Sequence, residues 1–152
     1  MLQKGVVAPL FQADSTKGPI DLRDYAGDKH IVLIFYPGDD TPVCTRQLCA
    51  VRDSYAAFEE ADAAVFGVNP AGLDKKAPFA GKFGYSFPLI VDADQSIRQA
   101  YDVGKIMGLF FQQRIVYIVG KNGRIVYAKK GNPPVSELLE AISASVPCAD
   151  GQ

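Results

Sequence analysis

Three cysteines, Cys44, Cys49 and Cys148, are the residues of this chain best suited to covalent chemistry. A thiolate is both a nucleophile and a metal ligand, so the surroundings of each sulfur decide what it can do. Cys44 ends the run Tyr36-Pro37-Gly38-Asp39-Asp40-Thr41-Pro42-Val43-Cys44. Thr41 is a good helix N-cap, and Pro42 suits a first helical position, where no amide donor is needed. That spacing places Cys44 in the first turn of a helix. Free backbone amides and the helix dipole favour an anion there, and a nearby cation adds to the effect. Two readings remain open at this point: a reactive thiolate, or a buried structural cysteine beside a helix start.

Cys49 lies five residues after Cys44. In an intact helix that separation is a rise of about 7.5 Å and a rotation of about 140°, so the Cα atoms stand roughly 8.6 Å apart. Disulfides rarely span more than about 7 Å between Cα atoms. A bond between these two sulfurs therefore requires the first helical turns to unwind. Without such a role, Cys49 is a small residue on the apolar side of the helix beside Leu48. Cys148 follows Pro147 in a small, polar stretch. It reads as an exposed, dispensable thiol, with a mixed or intermolecular disulfide as the alternative. Zinc binding is disfavoured, because the spacing is not that of a zinc cluster and His30 is the only histidine. His30 reads as a loop or edge residue ahead of a strand.

The elements that must position these residues follow from composition and pattern. The chain has 152 residues, 48% of them apolar, and a formal net charge of −1. Its length and composition fit one globular domain spanning residues 1–152. No basic patch suggests nucleic acid and no polybasic segment suggests a membrane surface. The longest apolar runs, such as 31–36, fall far short of the ~20 residues of a spanning helix. With no hydrophobic signal core at the start, the chain reads as cytoplasmic, or as the mature form of an organelle protein.

Segments 10–13 and 19–22 read as a short hairpin around Ser15-Thr16-Lys17-Gly18. The β-branched and aromatic run 31–36 suits a strand buried on both faces. Residues 41–61 read as one long helix, 63–68 as a strand, 73–83 as a helix, 88–92 as a strand and 96–101 as a short helix. Strands at 115–119 and 125–129 are joined through Asn122-Gly123, a strong hairpin signal. A closing amphipathic helix at 135–146 carries Val135, Leu138, Leu139 and Ile142 on one stripe. This order predicts an α/β fold, thioredoxin-like, with a mixed central sheet flanked by helices and an N-terminal β-hairpin extension.

Pro37, Thr41 and Cys44 match the Pro-x-x-x-Thr-x-x-Cys motif of peroxiredoxins. Cys49 stands where the peroxiredoxin Q subgroup, also called bacterioferritin comigratory protein, carries its resolving cysteine. Arg52-Asp53, Phe87-Pro88-Leu89-Ile90-Val91-Asp92 and Tyr101-Asp102-Val103 resemble further subgroup segments. Arg114 precedes the 115–119 strand as the family's second active-site arginine does; by itself it would read as a solvated charge, as Arg23, Arg46, Arg98 and Arg124 do. The resemblance covers residues 7–142.

That resemblance implies a thiol peroxidase acting on hydrogen peroxide and organic hydroperoxides. Cys44 would attack the peroxide and become a sulfenic acid. Arg114 would stabilise the thiolate and the departing oxygen. Thr41 would accept from the peroxide and donate to the Cys44 sulfur, Pro37 would shield the site from water, and the Val43 and Cys44 amides would donate to the peroxide oxygens. Cys49 would form the disulfide with Cys44 after the helix start melts, and thioredoxin or a similar thiol reductant would recycle it. No metal or organic cofactor is implied. A monomer is the subgroup's usual form, with a weak dimer as the alternative.

Two positions depart from the subgroup. Gln47 stands where many relatives carry Glu, which removes any ion pair or proton transfer assigned to that Glu. Asp102 replaces a common Gly, which changes a turn. Two other functions compete. A dithiol oxidoreductase normally carries Cys-x-x-Cys, but position 47 is Gln. A redox-sensing adaptor would relay the disulfide to a partner, and Leu109-Phe110-Phe111 ahead of Arg114 would be its contact surface, or else a hydrophobic collar near the substrate.

Overall fold

The computed structural model describes residues 1–39, 41–105 and 112–145. The N-terminal hairpin is present as two short antiparallel strands, β1 (Gln12–Ala13) and β2 (Ile20–Asp21), followed by a 3-10 turn at Leu22–Asp24. The apolar run that follows is β3 (His30–Phe35), in which every residue is buried. His30 opens this strand at 2% exposure, so it belongs to the interior and not to a loop or edge. Its imidazole is held below the ordinary histidine pKa, chiefly by burial and then by the charge of Lys121.

The expected single helix over 41–61 is two helices, α1 (Pro42–Asp53) and α2 (Tyr55–Glu60). Ser54 breaks it, with φ −109° and ψ 14°. Asp and Ser favour local backbone contacts over helix interiors. The break lets Phe58 of α2 reach the core independently of Leu48 and Val51 of α1.

The rest follows the sequence closely: β4 (Ala63–Asn69), α3 (Leu73–Phe83), β5 (Leu89–Val91), α4 (Ser96–Ala100), β6 (Ile115–Val119), β7 (Ile125–Lys130) and α5 (Val135–Ser145). The main sheet runs β5-β4-β3-β6-β7, with β3 parallel to β4 and antiparallel to β6. Central strands in such a sheet must be covered on both faces. The alternation along β3 shows how this is done. Val32, Ile34 and Tyr36 point to the layer holding α1, α2, α3 and α5, whereas Ile31, Leu33 and Phe35 point to the layer of the hairpin, the 3-10 turn and α4. No helix among the described residues is long and apolar enough to cross a membrane.

Asp102, the residue standing for a glycine, adopts the left-handed conformation with φ 52°. Asp tolerates that region better than most side chains do, so aspartate is accommodated at this position. Gly67 of β4 has no such excuse for being glycine; its reason is space. A Cβ there would stand 2.8 Å from Leu89 Cδ2 and 3.1 Å from the Tyr36 ring. Both neighbours are fully buried. Gly67→Ala is therefore expected to destabilise the fold by about 1–3 kcal/mol through overpacking. Urea unfolding should show a lower midpoint at unchanged slope.

Candidate active site

The start of α1 has the expected form. Thr41 is the N-cap, extended at φ −95° and ψ 151°, and Pro42 is the first helical residue. The Thr45 amide donates to the Thr41 carbonyl at 2.8 Å. The Val43 and Cys44 amides ahead of it lie in the first turn, whose donors have no acceptor within the helix. Cys44 is fully buried there.

The sheet supplies the cation. Register pairs Phe35 of β3 with Ile115 of β6. Arg114 therefore lies opposite Tyr36, where the chain leaves the sheet for α1. The Arg114 carbonyl is pinned by the Gly131 amide at 2.8 Å. Its guanidinium donates from Nη2 to Cys44 Sγ at 3.1 Å and from Nη1 to Gln47 Oε1 at 2.6 Å. Residues three apart share a helix face, so Cys44 and Gln47 present one two-pronged acceptor to a fixed fork of donors. Gln47 is 3% exposed, and water competes little for that bond. The Gln47 amide oxygen keeps the arginine oriented without neutralising it.

Thr41 differs from the role the family implies. Its hydroxyl donates to the Gly38 carbonyl at 3.3 Å, closing the turn, and neither touches the Cys44 sulfur nor caps a helix amide. Pro37 is half-buried and, with Gly38 and Thr41, edges a depression of about 350 Å³ that Cys44 itself does not line. Cys49 is half-buried on α1, and Cys44 and Cys49 are both free thiols. The Cys49 Sγ lies 3.4 Å from the Tyr85 hydroxyl. Cys148 and the Leu109-Phe110-Phe111 cluster lie outside the described residues.

Around the end of β3 lies a polar cluster that the motif does not announce. The Tyr36 hydroxyl donates to Asp39 Oδ1 at 2.6 Å. Lys76 of α3 is fully buried and donates to Asp39 Oδ2 and to the Tyr36 hydroxyl, both at 3.4 Å, and to the Asn69 side-chain oxygen. Gln112, also buried, donates to the Tyr36 carbonyl at 2.9 Å and to the Val68 carbonyl at 2.7 Å. Together these fix where β3 ends and how the turn begins. One signal in the sequence could have exposed the lysine: it occupies the inward stripe of α3 with Phe79 and Ala80. Nothing comparable marks Asn69 or Gln112.

The AhpC/TSA family model matches residues 5–128 of this chain. Peroxiredoxin Bcp of Bacillus subtilis is 36% identical over 131 residues, covering 82% of this chain and 83% of that protein. The chloroplastic peroxiredoxin Q of Sedum lineare is 35% identical over 146 residues, covering 93% and 78% respectively. Among solved structures, peroxidoxin BcpB from Mycobacterium tuberculosis superposes with a TM-score of 0.88 at 23% identity, covering 97% of this chain and all of that one. Peroxiredoxin Q of Xanthomonas campestris superposes with a TM-score of 0.82 at 27% identity, covering 91% and 97%. The fold is thioredoxin-like, as the element order predicts.

Burial holds the Lys76 ammonium down to a pKa of about 8, against the opposing pull of Asp39. In an unfolded chain a lysine keeps its proton to about 10.4. The unfolded state therefore binds the extra proton between those values, and the contribution of this group to stability rises with pH across that window. Side-chain NMR of carbon-labelled lysines should show one resonance titrating near pH 8, absent in Lys76→Met. A spectrum in which every lysine titrates above pH 10 would contradict the buried cluster.

Proposed function

This chain belongs to the AhpC/TSA family and is a peroxiredoxin of the Bcp and peroxiredoxin Q kind, a thiol peroxidase, and from that premise we propose that Cys44 is its peroxide-attacking sulfur. The observation that carries the assignment is the 3.1 Å contact from Arg114 Nη2 to a sulfur in the first turn of α1. A thiolate there is stabilised by a fixed guanidinium and by helix-start amides, both already oriented before substrate arrives.

The steps balance as follows. Cys44 thiolate attacks one peroxide oxygen, an S–O bond forms and the O–O bond breaks. The departing hydroxide or alkoxide takes a proton and leaves as water or alcohol. Arg114 stabilises the charge that develops on that oxygen, and the Val43 and Cys44 amides hold the peroxide. Thr41 accepts from the peroxide, with its own proton on Gly38 as the structure has it, and Pro37 limits access by water. Cys49 then attacks the Cys44 sulfenic acid, the S–O bond breaks, and water leaves as the disulfide forms. A thioredoxin-type dithiol reduces that disulfide by exchange. A reductant of that kind fits a reducing compartment such as the cytoplasm, and the monomer is the form the family resemblance implies.

Single-turnover peroxide consumption by the fully reduced protein tests this reading. Wild type is expected to consume one peroxide and lose two thiols. Cys44→Ser should consume none, and Cys49→Ser should stop at a sulfenic acid that a dimedone-type reagent traps. Wild-type protein reacting no faster than a free thiol would overturn the assignment of Cys44. Mass spectrometry finding no peptide linking Cys44 to Cys49 after oxidation would overturn that of Cys49.

A further inference from the structure

The disulfide step, as assigned above, demands that α1 come apart between Cys44 and Cys49, yet α1 runs unbroken from Pro42 to Asp53. Arg114 holds Cys44 and Gln47, and two further tethers tie α1 to the end of α3. Tyr85 follows α3 and is 3% exposed. Gly84 turns the chain there in a left-handed conformation, φ 67°, and so aims Tyr85 inward. The ring is mounted against Phe79, Phe83 and Phe87, with centroids 5.3, 5.9 and 5.3 Å away. Its hydroxyl donates to the Thr45 carbonyl at 3.3 Å and lies 3.4 Å from Cys49 Sγ. In the α-helical pattern the Thr45 carbonyl is also the acceptor for the Cys49 amide. One hydroxyl thus grips α1 at the carbonyl and at the side chain of a single helical turn. With Tyr85 donating to Thr45, the Cys49 thiol is the donor to Tyr85.

A second tether lies farther along. Arg52 donates from Nη1 to the Phe83 carbonyl at 2.7 Å. It grips α1 C-terminal to both cysteines, so it can persist while the turns ahead of it unwind. The Tyr85 contacts cannot.

We propose that Tyr85 is a positioning residue for resolution: its hydroxyl latches the first turns of α1, and its release limits how fast Cys49 reaches the oxidised Cys44. The proposal rests on the assignment of Cys49 as the resolving thiol. In the step concerned, the Cys49 sulfur forms a bond to the Cys44 sulfur, the Cys44 S–OH bond breaks, and the hydroxide leaves as water with the proton from the Cys49 thiol. While the latch is closed, the sulfenic acid waits, and a second peroxide can carry it to sulfinic acid.

Tyr85→Phe removes the hydroxyl and keeps the ring stack. Stopped-flow oxidation of the reduced protein by hydrogen peroxide separates the second-order first step from the first-order disulfide step. The variant is expected to form the disulfide about 2- to 10-fold faster, the effect of losing the weak hydroxyl contacts to α1, with the first step within about 2-fold of wild type. Sulfinic acid per turnover at high peroxide should fall by the same factor. Amide exchange in the reduced protein should quicken at 45–49 and stay unchanged at 51–53, which a general loosening would not produce. Disulfide formation at the wild-type rate or slower, with the first step intact, overturns the latch. A wild-type protein that oxidises at Cys44 but never joins it to Cys49 overturns the underlying assignment instead, and the two failures are read from different phases.

Discussion

The site depends on one guanidinium shared between two side chains of one helical turn. Arg114 reaches Cys44 Sγ with one nitrogen and Gln47 Oε1 with another. A buried sulfur that must bear negative charge needs such a partner, because desolvation alone disfavours the anion. The register of β3 against β6 sets where the arginine begins, and the turn after Tyr36 sets where the sulfur ends. Neither strand nor helix determines the 3.1 Å contact alone. It is a property of their junction.

The junction is held by groups remote from the chemistry. Lys76, Asp39, Tyr36 and Asn69 form a buried polar cluster around the end of β3, and Gln112 ties the ends of β3 and β4. Buried ion pairs are seldom a net source of stability, since desolvation offsets much of the attraction. What they supply here is geometry. The cluster holds Tyr36 and Asp39 where the chain leaves β3, and Thr41 is bonded back to Gly38. The proposed disulfide step also requires α1 to open locally between Cys44 and Cys49. The N-terminal turns of α1 combine an exposed Val43 with buried Cys44 and Leu48, and their restraints are Arg114 at Cys44 and Gln47 and Tyr85 at Thr45.

Much of this was legible in the sequence because strong local signals carried it. The β3 run, the Asn122-Gly123 hairpin, and Thr41-Pro42 as a helix start each follow from backbone chemistry at the position itself. Arg114 was legible only through the spacing of a family motif, since its partner lies 70 residues away. The break at Ser54 leaves little trace in the sequence, because one weak helix residue carries little signal against strong flanking patterns. The polarity of His30 suggests a loop, whereas register against β4 draws it inside. The motif points the Thr41 hydroxyl at the sulfur, whereas the turn offers it the Gly38 carbonyl. Tyr85 acts through a contact 36 residues away that no local pattern encodes, and the inward stripe of α3 places Lys76 inside without pointing to its partner Asp39, 37 residues away.

The central claim is that the Arg114 guanidinium makes Cys44 chemistry fast. It is tested most directly by the second-order rate of oxidation by hydrogen peroxide in wild type and Arg114→Met, with both shown to be folded by circular dichroism. Loss of one preorganised electrostatic donor of this kind typically lowers rates by about 100- to 1,000-fold, and that is the fall expected here. A folded Arg114→Met protein that oxidises at the wild-type rate would contradict the account.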